Sequence, residues 1–172
     1  FLKSKNLNAS VISFWHMLEH AEEPWDYLKA AKNNLNKSGK IIIGIPNQQS
    51  FELKLFNQSW FHLAPKFHIW HFSPQSMEKM LQQTGYNVIK TDLWSPEHHF
   101  SGLLQSAINA TTHSDNVLHR LVKRKQNFST LKIKDVFWII FLCTIGLPIL
   151  ILFWIVSSLF HKSGTFVIVA SK

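Results

Sequence analysis

Residues 11–24 read VISFWHMLEHAEEP. The first five, Val11 to Trp15, are β-branched and aromatic, and they predict a short buried strand. Glu22 and Glu23 ahead of Pro24 predict a helix start, because acidic side chains favour the positive end of the helix dipole and proline fits the first turn. Between strand and helix, His16, Glu19 and His20 spell His-x-x-Glu-His, the inverted zinc-protease pattern. That chemistry needs both histidines on one helix and a third ligand elsewhere. Glu97 stands at a suitable spacing for the third ligand. Yet the chain between the strand and Pro24 has room for about one helical turn, and the whole chain is short for such a protease. The zinc reading is rejected, and no metal is expected.

Working outward, EEPWDYLKAAKNNLNKSGK carries a helix with Trp25, Leu28, Ala31 and Leu35 as its apolar stripe, lysines near its end, and Gly39 in the left-handed C-terminal position. KIIIGIPN, residues 40–47, is a continuous apolar strand of the kind that parallel sheets cover on both faces. Residues 48–72 are polar and aromatic, with a short helix at Phe51 to Phe56 followed by a loop rich in Trp, Phe and His. SPQSMEKMLQQTGY is a helix with Ser73 as N-cap, Pro74 at the first position, Met77, Met80 and Leu81 inward, and Gly85 as the stop. YNVIKTDLW is a strand, and GTFVIVASK supplies another at Thr165 to Ala170. Strand, helix, strand, helix, helix, strand is the order of an α/β sheet covered by helices.

The 172 residues suffice for one domain with a core, and 46% of them are apolar. Cys143 is the single cysteine, so no disulfide forms within the chain. The net charge is +8. Val136 to Phe160, VFWIIFLCTIGLPILILFWIVSSLF, holds 25 residues without a charge and reads as membrane-embedded. Gly146-Leu147-Pro148 offers a turn in its middle. Ahead of it, NVLHRLVKRKQNFSTLKIKDVF reads as a basic amphipathic helix for the headgroup layer, with Val117, Leu118, Leu121 and Val122 apolar. Lys123, Arg124, Lys125, Lys132 and Lys134 precede the run, and Lys162 and Lys172 follow it. Basic flanks on both sides predict a re-entrant helical hairpin, rather than one kinked spanning helix, with both ends on the cytoplasmic face. A nucleic-acid partner is disfavoured, because the positive charge gathers beside the apolar run and not among stacking aromatics.

The ordered motifs resemble the second half of class I S-adenosylmethionine-dependent methyltransferases, in the broad group that includes ubiquinone-type O-methyltransferases and glycan-cluster methyltransferases (types 11 and 23). The matching features are Leu18-Glu19-His20, Pro24, Ser38-Gly39 and Pro46-Asn47. Trp60 through Ser73 is similar to the group's Trp/His loop, at Pro65, His68, His71, Phe72 and Ser73. GTFVIVASK resembles the group's seventh strand. The likeness covers residues 8–94 and 163–171. The group's glycine-rich cofactor turn has no counterpart among the six glycines, Gly39, Gly44, Gly85, Gly102, Gly146 and Gly164. The chain also opens FLKSKNLNAS without an initiator Met. It is therefore expected to be the C-terminal part of a truncated enzyme, inactive alone, whose partner is the missing N-terminal half.

The resemblance implies a Rossmann-like half-sheet with an inserted membrane-associated helical hairpin. Four segments are expected: a partial methyltransferase domain over 1–95, a basic amphipathic insertion over 96–135, the membrane-embedded segment over 136–160, and the final strand over 163–172. It further implies transfer of a methyl group from S-adenosylmethionine to a hydroxyl of a small-molecule or lipid-linked acceptor, such as a lipid-linked glycan or a quinone-like molecule. The alternative is a non-catalytic membrane-anchored remnant or partner subunit. Ligands of open α/β sheets sit at the carboxyl ends of strands. That assigns Phe14, Trp15 and His16 to the cofactor, and Pro46, Asn47, Trp60 and Phe61 to the acceptor. Histidine suits the base that takes the hydroxyl proton, and the candidates are His16, His20, His68 and His71.

Overall fold

The computed structural model describes residues 7–93, 96–112, 116–123 and 131–172. Contacts divide the chain into two units. The first comprises residues 1–48, 65–95 and 165–172, and the second comprises 49–64 and 96–164.

The first unit is a mixed sheet with two helices. Its elements are β1 (Ala9–Trp15), α1 (Pro24–Asn34), β2 (Leu35–Pro46), α3 (Pro74–Gln83), β3 (Asn87–Asp92) and β4 (Thr165–Ser171). The strands lie in the order β1-β2-β4-β3. β1 and β2 run parallel, while β4 runs antiparallel to both of its neighbours. The register explains the sequence pattern. Phe14 pairs with Ile43, and Ile43 pairs with Ile168. Ile41 pairs with Ala170, and Ile45 with Phe166. All of these side chains are buried, whereas Ile42, Val167 and Val169 are half-buried. Period-2 alternation therefore decides which isoleucines face the core, even inside an unbroken apolar run. Leu28 and Ala31 of α1 and Met77, Met80 and Leu81 of α3 complete that core.

Local chemistry sets the helix ends. Ser73 and Ser76 form a reciprocal capping box at the start of α3, at 3.1 and 2.9 Å. Gly85 stops it with φ +80. Gly39 does not behave as the sequence suggested. α1 ends at Asn34, its C-cap Leu35 is extended, and β2 begins at once. The register slips between Ala9↔Leu35 and Val11↔Lys40, so Gly39 lies in an irregular stretch of β2. A Cβ there would stand 2.8 Å from Leu35 Cβ, so close approach is what requires glycine, not a left-handed turn.

The second unit is helical: α2 (Phe51–Phe56), α4 (Pro96–Thr111), α5 (Val117–Val122), α6 (Ile133–Cys143) and α7 (Leu147–Leu159). α4 was not read from the sequence. Its stripe of Phe100, Leu103, Leu104 and Ala107 packs with Phe56, Leu142, Leu150, Phe153 and Trp154. The expected basic helix is present as α5 alone among the described residues. Arg124, Lys125 and the rest of 124–130 lie outside them. The apolar run does break near Gly146, but the axes of α6 and α7 turn by 60°, giving an open elbow and not an antiparallel hairpin. No single helix among the described residues is long and apolar enough to cross a membrane, although the bent pair passes that test together.

One buried hydroxyl ties the first unit together. Tyr86 is 2% exposed, and its O–H donates to the Leu28 carbonyl at 2.9 Å. Burial raises its pKa far above the usual phenol value. Because the folded pKa is the higher one, the unfolded chain ionises first, and this contribution to stability fades as pH climbs above about 10. Tyr86→Phe should lower stability at neutral pH by about 0.5–1.5 kcal/mol by removing that hydrogen bond. Its melting temperature should also fall less between pH 9 and 11 than that of the parent chain. Thermal melts across that range check both effects, and parallel pH profiles would refute the second.

Candidate functional site

β1 delivers its last residues to the carboxyl end of the sheet. The His16 N–H donates to the Gly44 carbonyl at 2.9 Å, which extends the ladder by one residue. His16 itself has φ +47, a left-handed conformation that is uncommon for a residue with a Cβ. That kink turns the chain out of the strand and into a single 3-10 turn, Leu18–His20. His16 and His20 therefore do not share an α-helix, and the protease geometry is absent. Glu97 lies where no side chain is described.

The turn is covered by the loop that precedes α3. The Glu19 carbonyl accepts from the N–H groups of Ile69 and Trp70, at 2.8 and 3.1 Å, and the Trp70 indole donates to the Ala21 carbonyl at 2.9 Å. Trp25 meets Trp70 edge-on at 5.3 Å. This clamp brings all four candidate histidines into one neighbourhood. His20 and His68 rings stand 4.6 Å apart, and His68 and His71 rings 6.2 Å apart. His16 Nδ1 lies 3.2 Å from Glu19 Oε1. Glu19 is 1% exposed, and its second oxygen, Oε2, has no hydrogen-bond partner. A buried carboxylate with one oxygen unanswered is costly unless it serves a purpose.

The remaining assigned residues fall in different surroundings. Trp15 is half exposed, and its indole lies over Gly44, where a Cβ would stand 2.3 Å from the ring. Phe14 is a core residue. Pro46 ends β2 and Asn47 follows it, and both are buried. Trp60 and Phe61 belong to the second unit. Trp60 is 2% exposed, and its indole donates to Glu52 Oε2 at 3.3 Å, so it is a packing residue there. Phe61 is half-buried, with its ring beside those of His62 and His119. The residue that sequence reasoning left without a site role is Glu19, although it stands inside the quoted motif. Its signal was a carboxylate between an apolar residue and a histidine, in a segment too short to solvate it.

Residues 2–91 match the family model described as a methyltransferase domain. The chain belongs to that family. No curated protein matches it in sequence. Among solved structures, a SAM-dependent methyltransferase from Archaeoglobus fulgidus is similar at 18% identity and TM-score 0.52, covering 99% of this chain and 63% of that one. The 4+2 cyclase SpnF matches at 13% identity and TM-score 0.52, covering 98% of this chain and 52% of that one. A Haemonchus contortus phosphoethanolamine N-methyltransferase 2 in complex with S-adenosyl-L-methionine matches at 12% identity and TM-score 0.51, with 98% and 34% covered. At these identities the likeness establishes the fold, a mixed α/β methyltransferase-like sheet. The chain spans less than two thirds of each of those proteins.

If His16 is the partner of the buried Glu19 carboxylate, the two must be thermodynamically coupled. His16→Ala should cost about 1–3 kcal/mol, and clearly less in a Glu19→Gln background. Urea melts of the four proteins measure the coupling. An equal cost in both backgrounds excludes it.

Proposed function

We propose that this chain is part of a membrane-associated methyltransferase that moves a methyl group from S-adenosylmethionine to a hydroxyl oxygen of a lipid-linked glycan or quinone-like acceptor. The observation that carries the reading is the family match over residues 2–91. In the reaction the hydroxyl oxygen attacks the methyl carbon, the carbon–sulfur bond breaks, and S-adenosylhomocysteine leaves while a base takes the hydroxyl proton. Such a displacement depends on alignment of acceptor and methyl group and on a base within hydrogen-bond reach. The histidines gathered at the carboxyl end of β1 supply that base where open α/β sheets bind ligands. A second reading is a non-catalytic membrane-anchored partner subunit that carries the same sheet.

Turnover separates the two readings. Labelled S-adenosylmethionine, given to the whole enzyme with a lipid extract, should transfer label to lipid-soluble material. His16→Ala, His20→Ala, His68→Ala and His71→Ala are then compared, and the one that removes the base should slow transfer by about 10²- to 10⁴-fold. Absence of any transfer favours the non-catalytic reading. Four variants of normal rate exclude a histidine base from this cluster.

Membrane association rests on the elbow. Ile133, Phe137, Ile140, Ile145, Ile149, Leu152, Leu159 and Phe160 are each more than half exposed, a spread of large apolar side chains that water does not favour. α6 has 11 residues and α7 has 13. At 1.5 Å per residue each is well short of the roughly 30 Å hydrocarbon core. Each helix is long enough to enter one leaflet, with Lys132, Lys134 and Lys162 at the headgroups on a single, cytoplasmic face. Lys132→Cys and Lys162→Cys should therefore be labelled by an impermeant thiol reagent from the same side of sealed vesicles, in a Cys143→Ser background. Labelling from opposite sides would make the pair one bent crossing.

A further inference from the structure

We infer that the helical second unit docks on the anionic leaflet of a lipid bilayer, with its lysines on acidic headgroups and the outer stripes of α6 and α7 among the acyl chains. This rests on the membrane reading above, to which it adds the lipid class.

Both helices of the elbow are apolar on two faces. Leu142 of α6 and Leu150, Phe153 and Trp154 of α7 pack with the stripe of α4. Ile133, Phe137 and Ile140 share another face of α6 at helical spacing, and all three are exposed. Ile149, Leu152, Val156 and Leu159 do the same on α7. A helix that is apolar on its outer face as well as its inner one calls for an apolar cover on both.

The exposed charge around these stripes has one sign. Of the carboxylates in the second unit whose burial is described, Glu52 is 0% exposed and Asp135 1%. Lys54, Lys123, Lys132 and Lys134 are exposed, and Arg120 and Lys162 are half-buried. The first unit differs, because Glu22 and Glu23 are exposed there alongside its lysines. A surface of uniform positive charge is complementary to acidic headgroups, and a zwitterionic leaflet gives it no net field to answer.

The cations also stand where headgroups would meet them, at both ends of the elbow. Lys132 and Lys134 flank the first residue of α6, and Trp138 follows one turn later. A cation followed by an amphipathic ring is the order of side chains at a bilayer interface. At the other end, the Phe160 ring lies 6.2 Å from that of Phe51, and the Phe51 N–H donates to the Lys162 carbonyl at 2.9 Å. The Lys54 ammonium stands 5.9 Å from the centre of the Phe51 ring. α2 is thereby fastened to the end of α7, and it adds Lys54 and the exposed Leu55 to Lys162. Lysine stems run along apolar surface and carry their charge outward, so the ends reach headgroups while the stripes between them lie deeper.

Vesicle flotation of the full chain tests the lipid class, with phosphatidylcholine alone compared against phosphatidylcholine carrying about 30% phosphatidylglycerol. At about 0.1 M salt the chain should partition at least about 30-fold more strongly into the anionic vesicles. Most of that preference should vanish at about 1 M salt, where the screening length falls from about 10 to about 3 Å. Lys132→Gln and Lys54→Gln should each lower the preference by about 5-fold, and Lys79→Gln, in the first unit, should leave it unchanged. These lysines are exposed, so the variants keep the fold, which circular dichroism checks. Equal partitioning into the two vesicle types overturns the lipid class and leaves the membrane reading intact. A chain that floats with neither, and that forms a stable dimer covering its own stripes, overturns both. A loss from Lys79→Gln as large as that from Lys132→Gln traces the preference to net charge and overturns the docking surface.

Discussion

The pairing of β4 between β2 and β3 is the constraint on which the rest of the first unit depends. β4 is the last strand in sequence, yet it lies inside the sheet and contributes Phe166, Ile168 and Ala170, all fully buried, to the core. The chain leaves the sheet after Asp92 and must return at Thr165 to fill that place. Without β4, the buried row Ile41, Ile43 and Ile45 loses the partners directly opposite it, and β3 loses its ladder. The long-range closure entropy of that return is an entropic cost that grows only slowly with the length of the excursion. A helical unit between Asp92 and Thr165 is thus compatible with an intact sheet.

The elements that were legible in the sequence share one property: a local signal agreed with the tertiary requirement. Ser73-Pro74 and Gly85 bracket α3 with capping chemistry that needs no partner elsewhere. Val11 to Trp15 and Thr165 to Ala170 are β-branched or aromatic and sit in strands that require such residues. Two signals misled. Gly39 reads as a helix stop, but the glycine answers a contact with Leu35 that arises only once β2 has formed. α4 carries a helical stripe at Phe100, Leu103, Leu104 and Ala107, whose polar flanks and neighbouring loop chemistry obscured it. The bend of the elbow was legible only as a break. Gly146 and Pro148 mark where the helix stops, whereas nothing in their local chemistry sets the 60° angle between α6 and α7.

The site was legible as a set of histidines and illegible as a geometry. The spacing of His16, Glu19 and His20 suggests one helical face, and the structure instead uses a left-handed residue and a 3-10 turn. The consequence is a division of labour. His16 Nδ1 faces Glu19, while His20 faces the Phe67 carbonyl and the His68 ring. Trp60, from the same aromatic stretch as His68, belongs to the second unit and is committed to Glu52. Sequence neighbourhood within residues 48–72 was a poor guide here, because the boundary between the two units falls inside that stretch.

The fold by itself does not decide what these residues do. A methyltransferase from Archaeoglobus fulgidus and a 4+2 cyclase match this chain with the same TM-score of 0.52, so the sheet is common to different reactions. The discriminating information therefore lies in side chains that the fold does not need. The isolated sheet would be satisfied by any residue that packs at position 19, and a leucine there would avoid burying a carboxylate at 1% exposure. Burying a carboxyl group at such a depth, with one oxygen unpaired, opposes folding stability locally. Features that weaken a fold at the ligand-binding end of its strands are where chemistry is expected. By that criterion the turn at Glu19 is the part of the first unit whose side chains the fold explains least.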